Sequence, residues 1–189
     1  MIKLYSFQFD KEIPKQQWTT ILEKTLKSAY NLQWLSPQHC RLYCEENINQ
    51  LLSELLALLE NDLSCRITVI VSHDDIDIAN QALALADKYQ RGALMSLSDV
   101  SLLAIVKQEE DFIAYLEDYF TKLDRELLHT MRCYQLNNCS GIKTAENLFI
   151  HRNTWNYRLN KFHNLTKLNL HDYDDAAFFR FWLSWQNIK

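Results

Sequence analysis

Apolar positions in the first half of the chain switch between a two-residue period and a three-to-four-residue period. Ile2, Leu4, Phe7 and Phe9 make a short β-favouring run that ends in the polar, proline-containing stretch 10–14. Over 15–30 the spacing of Trp18, Ile21, Leu22, Leu26 and Ala29 predicts a helix. Residues 32–35 and 40–44 are expected to pair as a hairpin around Ser36-Pro37, followed by a leucine-rich helix over 48–59. The β-branched run 66–71, bounded by Ser72-His73-Asp74-Asp75, is the clearest strand. A helix over 76–89, stopped by Gly92, and a short strand over 94–97 complete the alternation. Strands alternating with helices in this way predict an α/β sandwich over residues 1–108, with helices against a sheet.

From Ser98 onward only helical periods remain. Asp99 is placed to cap a helix over 100–106. A stripe at Phe112, Tyr115, Leu116, Tyr119, Phe120, Leu123, Leu127, Leu128 and Met131 describes an amphipathic segment that breaks near Asp124, where Asp-Arg-Glu reads as a fresh helix start. Residues 109–123 are expected to be a connecting helix and 124–189 an all-α domain. The last helix, 174–187, has acidic residues at its start and carries Phe178, Phe179, Phe181, Trp182 and Trp185. The fold class expected is therefore α+β: an α/β domain followed by a helical one.

Composition narrows the function classes. Two glycines in 189 residues leave no glycine-rich phosphate loop, and long helices are the natural use of such a chain. No apolar run reaches the length of a membrane span, and the start, Met1-Ile2-Lys3-Leu4-Tyr5, lacks a signal-peptide layout, so a cytoplasmic protein with no membrane partner is expected. The five cysteines are an odd number for a disulfide framework. His39-Cys40-x3-Cys44 resembles half a zinc site but has no second pair at ligand spacing, so no metal and no cofactor are expected. Asp74-Asp75-x-Asp77 is the densest acidic cluster, and its place before a helix makes capping a simpler account than metal binding.

The net charge of −4 hides an asymmetry. Residues 1–123 hold 11 basic against 18 acidic side chains, whereas 124–189 hold 9 against 6. Within 142–167 there are five basic residues (Lys143, Arg152, Arg158, Lys161, Lys167) and one acidic, Glu146. An acidic body with one basic segment suits a protein that touches a polyanion with a single module.

That segment has the layout of a helix-turn-helix. A short helix over 142–148 is expected to turn Ala145 and Leu148 inward, with the small Ala145 admitting a second helix closely. Phe149-Ile150-His151 make the turn, Ile150 filling its angle, and the second helix runs over 152–163. Trp155, Leu159 and Phe162 fall on one face as anchors, while Asn153, Asn156, Tyr157 and Asn160 face outward. His151, Arg152, Asn153, Asn156 and Tyr157 are the candidates for base edges, because Arg and Asn pair bidentately with guanine and adenine. Lys143, Thr154, Arg158 and Lys161 flank them as candidates for phosphates.

The run from Leu148 to Leu159, Leu-Phe-Ile-His-Arg-Asn-Thr-Trp-Asn-Tyr-Arg-Leu, resembles the C-terminal helix-turn-helix of PucR/CdaR-type regulators, roughly L-F-x-H-R-N-T-L-x-Y-R-L. Residues 127–134 with Asn137-Asn138 resemble the family's preceding helix and loop, and Leu165-Thr166-Lys167-Leu168-Asn169-Leu170 with Asp172, Asp174 and Asp175 its "LTGLDL…D" tail. Ala82-Leu83-x-x-Ala86 and Leu97-Ser98-Asp99-Val100 resemble the end of the GGDEF-like domain that precedes the module, here shortened and without a GG[DE]EF signature. Trp155 stands where the family has Leu, Asn156 where Arg is common, and Lys167 where the family has Gly. The resemblance implies a regulator that binds double-stranded promoter DNA, under a small-molecule or protein effector. A homodimer is expected because one helix-turn-helix reads only a few base pairs, with the stripe from Phe112 to Leu123 and the aromatics of the last helix as candidate contacts, although both stripes could equally bury within one subunit. The rival readings are an interaction or dimerisation module whose helix-turn-helix no longer binds DNA, and a nucleotide-converting enzyme. The absence of a phosphate cradle argues against the second, and no catalysis is expected.

Overall fold

The computed structural model describes residues 2–73 and 76–188, which divide into two compact units, 1–100 and 101–189. The division falls within a helix and earlier than the boundary at 108 that periodicity implies.

The first unit runs β1 (Lys3–Phe9), α1 (Lys15–Thr25), β2 (Tyr30–Ser36), β3 (His39–Cys44), α2 (Asn49–Leu63), β4 (Ile67–Ser72), α3 (Ile76–Tyr89) and β5 (Leu94–Ser96). The strands form one sheet in the order β2-β3-β1-β4-β5, antiparallel except for β4 and β5. Alternation along β1 sends Tyr5, Phe7 and Phe9 to one face. There they join Cys40, Leu42, Ile67 and Val69, with Trp18 and Leu22 of α1 and Leu52, Leu56 and Leu59 of α2 closing the core. Trp18 meets Phe7 and Phe9 edge-on, each at 5.2 Å between centroids. The opposite face carries Ser6, Gln8, Arg41 and Thr68, and α3 lies on it: Arg41 donates to Asn80 at 2.7 Å and Thr68 to Asp87 at 3.5 Å. The Tyr5 hydroxyl accepts from the Ile48 amide at 2.9 Å where α2 begins.

Two local expectations need revision. The helix expected over 15–30 stops at Thr25, and Tyr30 already belongs to β2, since the hairpin needs seven residues to match β3. Asp99 does not begin its helix, α4 (Leu97–Lys107). Ser96 does: its hydroxyl accepts from the Asp99 amide at 3.2 Å while the Asp99 carboxylate accepts from the Ser96 amide at 2.9 Å, a reciprocal capping box. The capping proposed for Asp74 and Asp75 lies outside the described residues.

The second unit contains α5 (Glu110–Phe120), α6 (Arg125–Leu136), α7 (Gly141–Asn147), α8 (Arg152–Thr166) and α9 (Tyr173–Ile188). The amphipathic stripe does break at Asp124, whose carboxylate caps α6 by accepting from the Leu127 amide at 2.7 Å. Segment 109–123 is not a free-standing connector, because Phe120 lies 4.1 Å from Trp182 and within 6 Å of Phe178 and Phe179 of α9. Phe179 in turn meets Phe162 of α8 at 4.9 Å. Phe112, Leu116, Leu123, Phe178, Phe179 and Trp182, the residues an amphipathic reading also offers to a dimer partner, are therefore buried within the chain itself. No helix among the described residues is long and apolar enough to cross a membrane.

Phe120 sits at the centre of this aromatic cluster. Replacing it with Ala is expected to cost about 3–5 kcal/mol through lost transfer energy and the cavity left behind. Chemical denaturation followed by Trp fluorescence measures the loss.

Candidate nucleic-acid interface

The loop before α7 is tight. Asn138 and Cys139 both take left-handed backbone angles, φ 54° and 56°, after which Ser140 caps α7 by accepting from the Lys143 amide. Asn tolerates that conformation because its short side chain bonds locally. Asn147 at the far end of α7 donates to Asn137 at 2.8 Å, so both ends of the short helix are tied back to the end of α6.

The face that α7 turns inward differs from expectation. Thr144 is fully buried and its hydroxyl donates to the Ser140 carbonyl at 2.7 Å, while Ala145 and Leu148 are only half-buried. The small residue that admits α8 is Gly141. A Cβ there would lie 2.5 Å from Nε1 and 3.0 Å from Cε2 of Trp155, inside van der Waals contact. Trp155 also packs on Tyr134 of α6 at 4.7 Å between centroids. The indole that stands where the resembling family has Leu thus occupies the space that a missing Cβ leaves.

Between the helices, Phe149 takes φ 53° and is 97% exposed, and Ile150 is half-buried in the angle as expected. His151 is the N-cap of α8, its Nδ1 accepting from the Asn153 amide at 3.2 Å. Trp155, Phe162 and Thr166 are buried along one side of α8 and Leu159 is half-buried. On the other side His151, Arg152, Asn153, Thr154, Asn156, Tyr157 and Asn160 are all exposed. The helix extends three residues past the expected end and closes at Lys167, whose φ of 60° explains why a glycine suits that position.

The four candidate phosphate ligands separate into two pairs. Lys143 and Thr154 are exposed. Arg158 instead donates to Thr130 Oγ1 at 2.8 Å and forms an ion pair with Glu126, and Lys161 pairs with Asp124 at 2.6 Å. Both therefore brace α8 against α6. The bond from Lys161, helped by the Leu127 amide, holds the Asp124 carboxyl below its ordinary value of 3.8. The same pairing raises Lys161. The acids at the start of α6 lie 32 and 37 positions away in sequence, so composition alone assigns these cations to the basic patch. Among the described residues no group of three or more His, Cys, Asp or Glu is placed to hold a metal.

Residues 127–184 match the PucR C-terminal helix-turn-helix domain. The proline-responsive transcriptional activator PutR of Bacillus subtilis is 36% identical over 78 residues, which are 38% of this chain and 19% of that protein. An uncharacterized protein of Haemophilus influenzae is 40% identical over 68 residues, 36% of this chain and 18% of that protein. A leucine-rich protein of Streptococcus dysgalactiae subsp. equisimilis is 25% identical over 153 residues, 74% of this chain and 54% of its own. The chain thus spans under a fifth of the length of the first two and about half of the third. A regulator of polyketide synthase expression from Bifidobacterium adolescentis aligns over 99% of this chain and 81% of its own with a TM-score of 0.47 and 10% identity.

Two outcomes follow from the geometry. Gly141→Ala is expected to destabilise the native chain by about 1–3 kcal/mol through overpacking against the indole. In a Trp155→Leu background the same change should be neutral or stabilising, because Ala is the better helix former; urea melts of the four variants measure the reversal. For Asp124, whose folded pKa is depressed, the stabilisation is present above pH 4 and disappears as pH falls through the lowered value. Asp124→Asn keeps a capping oxygen but not the pair, so its melting temperature should change less between pH 6 and pH 3 than that of the wild type.

Proposed function

We propose that this chain, whose residues 127–184 are a PucR C-terminal helix-turn-helix domain, is a transcription regulator that reads double-stranded DNA with α8. The observation that carries the reading is the two-sidedness of α8, which is locked by Trp155 and Phe162 on one side and exposes Arg152, Asn153, Asn156 and Tyr157 on the other. Arg and Asn on such a face offer paired donors and acceptors to guanine and adenine edges in the major groove. His151 contributes through its role as cap, which orients the first turn, and its side chain is exposed. The first turn of α8 carries no acidic residue, so its exposed amides and helix dipole add to the attraction for phosphate.

Lys143 and Thr154 are the phosphate ligands in this reading, joined by Arg152 where it does not contact a base. Arg158 and Lys161 reach phosphates only by giving up Glu126 and Asp124, so we assign them to positioning. The first unit serves as a regulatory and assembly domain of the GGDEF-like kind, without catalysis, and the regulator acts in the cytoplasm as a homodimer. Two-fold pairing places a recognition helix on each half of a palindrome, about 34 Å apart. The family resemblance and the name of the similar activator PutR support regulation of transcription in response to a metabolite.

Mobility-shift assays with the DNA upstream of the chain's own gene, at several salt concentrations, test this. Arg152→Ala should cost about 1–3 kcal/mol on the preferred site and little on unrelated duplexes. Lys143→Ala should weaken all duplexes alike and lower the salt slope by about 1, whereas Lys161→Ala should leave the slope unchanged. Equal binding of every duplex by wild type and both of the first two variants would contradict the assignment and favour an interaction module.

A further inference from the structure

On the sheet face that carries α3, a cleft of about 390 Å³ opens between Gln8, His39 and Arg41 of the strands and Asn80, Leu83 and Asp87 of the helix. Arg41 is only 7% exposed, yet among the described residues no carboxylate pairs with it. Its one hydrogen bond is from Nη2 to Asn80 Oδ1, and its Nε–H has no acceptor. A buried guanidinium in that condition is costly, and native proteins keep such groups paired or use them to bind something.

Its neighbours are in a similar condition. Ser6 is directly opposite Arg41 in the β1–β3 register, fully buried, and its hydroxyl has no partner. The next pair along, Gln8 and His39, brings a buried His39 Nε2 that is also without a partner. Burial, and then the charge of Arg41, hold the His39 ring below its ordinary value. At neutral pH it is an uncharged ring whose Nε2 can carry a proton and donate. Arg41 and His39 therefore bring an unspent guanidinium N–H and an imidazole nitrogen to the cleft.

We propose that this cleft binds a small organic carboxylate, gripped by Arg41 with His39 as a supporting donor. A guanidinium matches a carboxylate in its planar fork, and the buried setting strengthens the bond. The far wall sets the ligand's size and charge. Asp87 lies seven residues, about 10 Å, along α3 from Asn80 and is held by Arg91 at 3.6 Å. Its negative charge disfavours a phosphate dianion and suits a ligand a few atoms long whose other end carries hydroxyl or amine hydrogens. Leu83 supplies an apolar wall between the two ends. The site is independent of the reading of α8, since it lies wholly in the first unit.

The test uses the full chain, labelled with ¹⁵N and titrated with sodium lactate, sodium acetate, acetamide or inorganic phosphate, followed by the Arg41 Nε–H resonance and by thermal melting. Lactate and acetate should move that resonance saturably. At a tenfold excess over the dissociation constant they should raise the melting temperature by about 3–5 °C. Acetamide should do neither. Arg41→Met should melt no lower than the wild type without ligand, because an unpaired buried charge has been removed, and should lose the response. If Arg41→Met fails to fold, Asn80→Ala, which should weaken the response several-fold, and the wild-type resonance decide instead. A saturable response to phosphate alone, an equal rise in wild type and Arg41→Met, or an unmoved Nε–H resonance would each overturn the proposal.

Discussion

The close approach of Trp155 to Gly141 decides how α7 and α8 meet. With a Cβ at position 141 the indole would be displaced by about an ångström, and it has nowhere to go because Tyr134 backs it from α6. The rest of the helix-turn-helix is consistent with that contact. Paired left-handed residues before α7 let the chain turn sharply, the Asn147–Asn137 bond ties α7 down, and Phe149 takes φ 53° so that α8 can leave at the required angle. Were the indole to move, the outward face of α8 would rotate with it.

The same arrangement explains how the domain uses its charges. A basic patch read from composition contains five cations over 142–167, yet Arg158 and Lys161 are spent on Glu126 and Asp124. These pairs are partly exposed and contribute modestly to stability. Their larger effect is geometric, since together with Thr130 they stop α8 from sliding along α6. The surface left for a polyanion is less positive than the sequence count implies.

Periodicity makes most of the architecture legible in the sequence. The break at Asp124, the strand 67–72, the hairpin and the buried side of α8 follow from the spacing of apolar residues, because each element has one face in a core. Elements whose ends are set by pairing were harder: β2 extends back to Tyr30 because β3 offers it partners, and the run over 15–30 shows no signal of that. Gly141, the role of Arg158 and Lys161, and the isolation of Arg41 were not legible. Each depends on a residue more than ten positions away that local patterns do not bring together. Lys167 is the intermediate case, since departure from a family glycine marked the site and the backbone angle supplied the reason.

Selection of duplexes from a random library by the purified full chain, with sequencing of those retained, tests most directly whether α8 reads DNA. The account predicts that one motif with two-fold symmetry is enriched, with its most constrained bases in two half-sites about one helical turn apart. Retained duplexes with the same sequence distribution as the starting library would contradict it.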